Sequence, residues 1–279
     1  MISITLPVFV KWAGGKSKLI PQFKEHFPEK VESYYEPFLG GGAVFFYFTQ
    51  FYKPNKLVLS DINHVLVELY RNVKENPDQL IKLLKEHKSK HTPDSSKYYY
   101  KMRERYNQLH NTIEKSALFL YLNKTCFNGL YRENAKGHFN VPIGRYKNPS
   151  IVNAGEIKKA SSLLKNAEVF EQDFENILPS VNKNDFVYLD PPYHPVSETS
   201  SFTSYSKQDF GKEDQKRLAE FCKKLDKKGV KFMLSNSDTK FVKELYSEFN
   251  IHLVSTRRMI SADKTKRKTI NEVVVKNYS

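Results

Sequence analysis

Tyr34-Tyr35-Glu36-Pro37-Phe38-Leu39-Gly40-Gly41-Gly42-Ala43 is the stretch whose reading decides the fold. Residues 34–38 read as a short strand, the three glycines as a tight turn, and the apolar run 43–52 as a buried helix. Strand, glycine turn and helix make one βα unit. A second follows at once, with 56–60 as strand, Asp61 at its end and 62–72 as helix. Farther on, strands are expected over 168–170, 186–189, 230–235, 251–256 and 270–275, with helices over 156–164, 212–228 and 239–249. Alternating strands and helices predict a mainly parallel sheet, and the last two strands, with no helix between them, predict an antiparallel edge.

From residue 77 to about 126 the pattern is helical, rich in Lys, Tyr and Leu, as in 116–122, and contains no strand. A Gly/Asn/Pro-punctuated stretch, 128–149, follows. The expected fold is therefore an α/β sheet domain made of residues 1–70 and 166–279, interrupted by a mostly helical insertion, 71–165. No internal repeat is present.

Composition narrows the function. The 279 residues are 39% hydrophobic and 27% charged, with 11 Gly and 13 Pro, which excludes disordered, fibrous and low-complexity chains. No apolar run approaches the roughly 20 residues of a membrane span, and Met1 to Val10 lacks a basic start and cleavage site, so a cytoplasmic protein is expected. Cys126 and Cys222 are too few for a disulfide framework or a Cys-rich zinc site and read as packing residues. The net charge is +14, and residues 71–165 alone hold 19 basic against 8 acidic residues, a net +11. Such an excess suits a polyanion, because each neutralised phosphate releases counterions. A Lys-rich solvated surface accounts for the charge alone equally well.

Three motifs carry the chemistry. Gly40 to Gly42 lie where a sheet strand hands over to a helix, and Asp61 follows Gly40 by 21 residues, the spacing at which a carboxylate grips a ribose hydroxyl. An adenosine-containing cofactor is implied, although the glycines alone also suit a structural turn. Position 45, where a dinucleotide fingerprint has its third glycine, is Phe45, which argues against NAD. Gly14-Gly15-Lys16-Ser17 resembles the end of a P-loop, but the motif's first glycine would fall at Val10, which excludes one. The segment from Lys11 to Lys16 still gathers the only tryptophan, Trp12, with two lysines and two glycines.

The sharpest motif is Asp190-Pro191-Pro192-Tyr193, directly after the apolar strand 186–189. Two prolines stiffen the backbone and remove donors, so the Pro191 carbonyl stands beside the Asp190 carboxylate as a second acceptor. Two acceptors suit the exocyclic amine of adenine, and Tyr193 can stack on its ring. A rigid turn closing a strand is the plainer alternative. Asp173 and Phe174 fit a helix cap and a core residue as well as a binding pair. His87 and His91 share helical spacing without the glutamate of a zinc protease, and His194 reads as solvated, so no metal site is assigned.

Together these stretches resemble the Dam-type, D12-class N6-adenine DNA methyltransferases, which use S-adenosylmethionine and most often act on GATC. The likeness runs through Lys11 to Lys16, Pro37 to Gly42, Asp61, Asn123 to Tyr146, Asp190 to Tyr205, Ser235-Asn236 and Arg257-Arg258 through Lys268. It implies a Rossmann-like class I methyltransferase sheet with a DNA-reading insertion. The resemblance makes Asp190, Pro191 and Tyr193 catalytic. It assigns S-adenosylmethionine to Trp12, Lys16, Asp61 and Asp190, with Gly40 and Gly42 shaping the pocket and Asp173 and Phe174 at the cofactor's adenine. In the hairpin near 127–147, Arg132 would read guanine, Leu130 and Pro142 would pack on bases, and Phe127 and Asn128 would fill the space of a flipped adenine. Lys11 would read the outer guanine, and Lys124, Asn134, Asn140 and Lys147 would hold phosphate or sugar. The family often has Tyr where this chain has Phe127, which keeps the stacking face and loses a hydroxyl. Double-stranded DNA is the implied partner, at the nucleoid, and pairing with a restriction endonuclease is a further expectation. The Ser/Thr-rich stretch 194–210, with Phe202 and Tyr205, is expected to order over DNA. Related enzymes for longer sites such as GATATC, RNA or protein amine methyltransferases, and a non-catalytic DNA-binding relative are the alternatives.

Overall fold

A computed structural model describes residues 6–92, 95–195, 210–257 and 269–279. Seven strands form one sheet: β1 (Ser33–Glu36), β2 (Lys56–Asp61), β3 (Ala167–Glu171), β4 (Phe186–Leu189), β5 (Lys231–Ser237), β6 (Asn250–Arg257) and β7 (Thr269–Lys276). Their order is β3-β2-β1-β4-β5-β7-β6. The first five run parallel, and β7 is antiparallel to both β5 and β6. The expected mainly parallel sheet with an antiparallel edge is the fold the chain adopts. The last strand in sequence is interior. Val273, Val274 and Val275 are fully buried, whereas β6 leaves Leu253 at 59% exposure, as suits the edge position.

Nine α-helices flank the sheet: α1 (Ile20–Phe23), α2 (Ala43–Phe51), α3 (His64–Glu75), α4 (Pro77–Lys90), α5 (Ser96–Gln108), α6 (Ile113–Thr125), α7 (Ala154–Leu164), α8 (Lys212–Lys227) and α9 (Lys240–Leu245), counted among the described residues. Local chemistry explains where they depart from expectation. β1 stops at Glu36 instead of 38, since Pro37 has no N–H for the ladder. α3 starts two residues later than its apolar pattern, because the Asn63 side chain accepts from the Leu66 N–H at 3.1 Å and caps it. α9 ends four residues early, and Phe249 packs edge-on against Phe232 at 5.0 Å.

Two apolar clusters enclose the sheet. One joins Phe46, Phe48 and Tyr70 to Leu80, Tyr99, Leu118 and Tyr121, so α4, α5 and α6 share a continuous core with α2 and α3. The other joins Val187, Leu189 and Val275 to Leu218, Phe221 and Leu225 of α8. Helix α6 is buried from Ser116 to Thr125 without a solvent face, which accounts for its all-round apolar composition. Among the described residues no helix is long and apolar enough to cross a membrane.

Gly42 shows what the first turn demands. Its φ is +67°, and an added Cβ would lie 2.5 Å from the Tyr70 hydroxyl and 3.0 Å from the Phe46 ring. Gly42→Ala is expected to destabilise the protein by about 1–2 kcal/mol from the backbone alone, with the clash in addition. Thermal unfolding measures this, and an unchanged midpoint would refute the steric reading.

Candidate active site

Parallel strands bring their carboxyl ends to one edge, and there the motifs meet. The glycine turn follows β1, Asp61 ends β2, Asp173 follows β3 and Asp190 follows β4. Asp61 builds the first wall of the site. Its Oδ2 accepts from the Gly40 N–H at 3.0 Å and its Oδ1 from the Asn63 N–H at 2.9 Å, so one carboxylate ties the glycine turn to the start of α3. Each oxygen keeps a further lone pair. Burial pushes this carboxyl above its usual range. The Tyr70 hydroxyl donates to the Gly40 carbonyl at 3.1 Å, and Trp12 lies against Gly40 and Gly41. Beside Asp61, Ile62 is 57% exposed, an apolar surface next to the carboxylate in sequence.

At the end of β4 the two oxygens of Asp190 are treated differently. Oδ1 receives the Lys16 ammonium at 2.7 Å and the Ser235 hydroxyl at 2.9 Å, and Ser235 in turn meets the Tyr188 hydroxyl at 3.0 Å. Among the described residues Oδ2 accepts no hydrogen bond, and neither does the adjoining Pro191 carbonyl. Among the described residues both acceptors are thus left without a donor. Burial raises the Asp190 carboxyl above its usual range, and the charge of Lys16 pulls it back. Lys16 also donates to the Gly14 carbonyl at 2.6 Å and stands 4.5 Å over the Tyr193 ring. The Tyr193 hydroxyl donates to Glu272 on β7 at 2.6 Å, and burial pushes the phenol well above its ordinary value. His194 is half-buried, not solvated as its sequence context suggests, because its ring packs on Phe241 at 4.6 Å.

After β3 the arrangement is more crowded. Asp173 caps a 3₁₀ turn through the Glu175 N–H at 3.0 Å, and Arg217 of α8 donates to both its oxygens at 3.2 and 2.9 Å. The same guanidinium lies 4.5 Å over the Phe174 ring, whose centroid is 5.4 Å from that of the stacked Phe38 ring. Phe174 is thus buried between them.

The stretch after α6 folds back on itself through two antiparallel bridges, Cys126 to Ile143 and Glu133 to Phe139. Asn128 and Gly129 turn it, with φ of 54° and 65°, and a side chain at 129 would collide with the Lys11 stem. Phe127 is 51% exposed, and Arg132, Pro142 and Lys147 are exposed on the same structure. The Arg132 Nε donates to the Asn140 Oδ1 at 2.7 Å, so Asn140 aims the guanidinium. Leu130 is half-buried. Asn134 spends its side-chain oxygen on the Lys136 and His138 N–H groups, each at 3.0 Å, shaping the tip. Lys124 lies inside α6 at 6% exposure, and burial pushes its ammonium down to about 8.

The hairpin and the edge of the sheet are joined by the segment from Lys11 to Lys16. Asn123 of α6 accepts from the Lys11 N–H at 2.8 Å and donates to the Lys11 and Gly129 carbonyls at 2.9 and 3.0 Å. Lys11 reaches the Tyr146 ring, 4.5 Å from its centroid, and Trp12 lies 5.6 Å from Tyr131. Among the described residues no group of three or more His, Cys, Asp or Glu could hold a metal ion. Residues 196–209, with Phe202 and Tyr205, and 258–268 lie outside the described residues.

Comparison with known proteins identifies the family. The D12 class N6 adenine-specific DNA methyltransferase family matches residues 12–260. The type II methyltransferase M.MjaIII of Methanocaldococcus jannaschii is 46% identical over 97% of this chain and 98% of its own length. Type II methyltransferase M1.LlaDCHI of Lactococcus lactis subsp. cremoris is 44% identical over 99% and 96%. DNA adenine methylase of Escherichia coli K12 is 37% identical over 95% and 93%. The chain belongs to the D12 class of adenine-specific DNA methyltransferases.

Several residues of this methyltransferase site escape a reading of the sequence. Asn123 carries a visible signal, a lone amide in an otherwise apolar helix. Ser235 and Asn236 lie in a stretch resembling the family, but nothing local gives their partners. Glu272, Gln215 and Arg217 carry no signal at all, because β7 and α8 bring them to Tyr193, Pro192 and Asp173 from far along the chain.

Proposed function

We propose that the chain transfers a methyl group from S-adenosylmethionine to N6 of an adenine turned out of double-stranded DNA, within GATC. The observation that carries this reading is the pair of open acceptors, Asp190 Oδ2 and the Pro191 carbonyl, next to the Tyr193 ring. Adenine N6 is a poor nucleophile because its lone pair is delocalised into the ring. Two acceptors on its two hydrogens favour a pyramidal nitrogen with the lone pair released. Tyr193 stacks on the extruded base and offsets part of the few kcal/mol that unstacking costs. Asp190 need not deprotonate the neutral amine, since a carboxylate, even one raised by burial, is far too weak a base for it. The nitrogen becomes acidic once alkylated, and its proton then passes to the open carboxylate oxygen. Positioning and electrostatics supply most of the acceleration.

The residues present fit the cofactor. Asp61 keeps lone pairs for ribose hydroxyls, Gly40 and Gly42 shape the turn by leaving room for Trp12 and for Tyr70 and Phe46, and Ile62 offers apolar surface to a base. Trp12 packs beneath the turn, and Lys16 holds Asp190. Asp173 and Phe174 take the cofactor's adenine, which requires Arg217 to leave the carboxylate and ring it covers. When bound, S-adenosylmethionine supplies an electrophilic methyl group.

Residues 1–70 and 166–279 carry the cofactor and the chemistry, and residues 71–165 recognise DNA. Arg132, aimed by Asn140, reads a guanine, while Phe127, Asn128, Leu130 and Pro142 contact bases. Lys11 reads the outer guanine, and Asn134 and Lys147 hold the backbone. The type II names of two relatives support pairing with a restriction endonuclease. Treating unmethylated plasmid with the protein and S-adenosylmethionine tests the reading. GATC sites should become resistant to a nuclease blocked by adenine methylation and sensitive to one that requires it. Adenine methylation with unaltered GATC sites would overturn the specificity, and no N6-methyladenine would overturn the reaction.

Arg132→Ala is expected to lose about 1–3 kcal/mol of discrimination at one base pair, read from kcat/KM on duplexes substituted at each position. An equal loss on all sequences would make Arg132 a phosphate contact.

A further inference from the structure

The proline corner poses a structural problem of its own. Pro191 and Pro192 have no N–H, so the backbone that must present the Pro191 carbonyl has few donors by which the fold can grip it. Side chains do so instead. The Gln215 Nε2 on the first turns of α8 donates to the Pro192 carbonyl at 2.9 Å. The Asn236 Nδ2 near the end of β5 donates to the Gln215 Oε1 at 3.0 Å, and the Asn236 Oδ1 accepts from the His194 N–H at 3.2 Å and the Ser237 N–H at 2.8 Å. The Ser237 hydroxyl donates to the His194 carbonyl at 2.7 Å. Gln215 and Asn236 are completely buried, and every polar atom of both side chains except one hydrogen of each amide is used in this chain.

Burying two neutral amides is unfavourable unless their hydrogen bonds are satisfied, and two apolar side chains would fill the space at less cost. The arrangement acts on the orientation of one peptide. Both proline rings fix φ, and Gln215 fixes the plane that follows Pro192. Lys16 and Ser235 hold Asp190 on the other side. The Pro191 carbonyl is left between two immobilised neighbours, with no hydrogen bond from the described residues.

We propose that Gln215, held by Asn236, is a positioning residue for methyl transfer. It draws the Pro192 carbonyl into the protein so that the Pro191 carbonyl, and not its neighbour, faces the target amine. The proposal rests on the reading of Asp190 and Pro191 as the paired acceptors. A misplacement of about 1 Å at a reacting centre can cost about 100-fold in rate. The full-length protein carrying Gln215→Met, which keeps length and apolar volume, tests it in single-turnover methylation of a cognate duplex. The transfer rate should fall roughly 10- to 100-fold, while the dissociation constants for S-adenosylmethionine and DNA stay within about twofold.

In a duplex with 2-aminopurine at the target, the fluorescence rise on extrusion should persist, because Tyr193 and the hairpin are untouched. Gln215→Asn keeps the amide one methylene short and is the milder variant should Gln215→Met unfold. It too should slow transfer without weakening binding. A folded variant that transfers at the wild-type rate would overturn the proposal, as would a slow rate explained entirely by weaker DNA or cofactor binding. Wild-type protein that forms no N6-methyladenine would instead overturn the function on which the proposal rests.

Discussion

Asp190→Asn lowers methyl transfer by at least about 100-fold while the protein stays folded and still binds S-adenosylmethionine; this is the expected result of the variant that best isolates the mechanism. The two oxygens of Asp190 explain the choice of asparagine over alanine. Oδ1 is held by Lys16 at 2.7 Å and Ser235 at 2.9 Å, both donors. An asparagine must therefore place its oxygen there and its NH₂ at the open position. A donor then faces the donor hydrogens of the adenine amine, and the site repels the substrate group it should orient. Alanine would instead leave the Lys16 ammonium, whose side chain is 6% exposed, without its partner, and the loss of activity would be mixed with a loss of stability. Trp12, the only tryptophan, lies against Gly40 and reports cofactor binding by its fluorescence. Activity within tenfold of wild type, with cofactor binding intact, would mean that Asp190 does not hold the reacting amine.

Lys16→Met should be nearly as damaging and should carry a pH signature. Burial raises the Asp190 carboxyl, and Lys16 is the main influence opposing that rise. Without the ammonium the carboxyl rises further. Only the ionised form accepts on both oxygens, and with Ser235 still donating to Oδ1, an added proton goes to Oδ2 and turns the open acceptor into a donor. Activity is therefore lost as pH falls through the Asp190 pKa, and the acid limb of the single-turnover profile should move to higher pH. Near neutrality the rate should fall roughly 100-fold, in the range expected for removing one preorganised charge from an active site, with partial recovery in alkaline buffer. A uniform loss at every pH would instead indicate that Lys16 serves the cofactor directly.

The glycine turn, Asp61 and the Asp190 to Tyr193 corner were legible because each is a short contiguous motif at a strand end. Parallel strands then place all of them on one edge. Lys16 was legible as unusual but not as the partner of Asp190. Its role depends on the segment before α1 lying across the ends of β1 and β4, a long-range contact with no local pattern. Lys124 fits a phosphate contact by residue type, yet α6 is enclosed and the side chain is 6% exposed. Helical periodicity could not reveal this, since an all-round apolar helix has no face from which to read the neighbours. Asp173 and Phe174 were found as a pair, while Arg217, which covers both, comes from a helix across the sheet.

Local pattern was thus enough to give the class of every strand and most helices, and the glycine and proline corners. It was enough because backbone propensities and turn stereochemistry act over a few residues. Which atom of Asp190 is left without a donor, which carbonyl of the corner is held by Gln215 and what grips the tyrosine depend on β5 lying beside β4, β7 lying inside β6, and α8 returning to the corner. Those pairings come from the order in which strands bury their apolar faces, a property of the whole chain that no short stretch encodes.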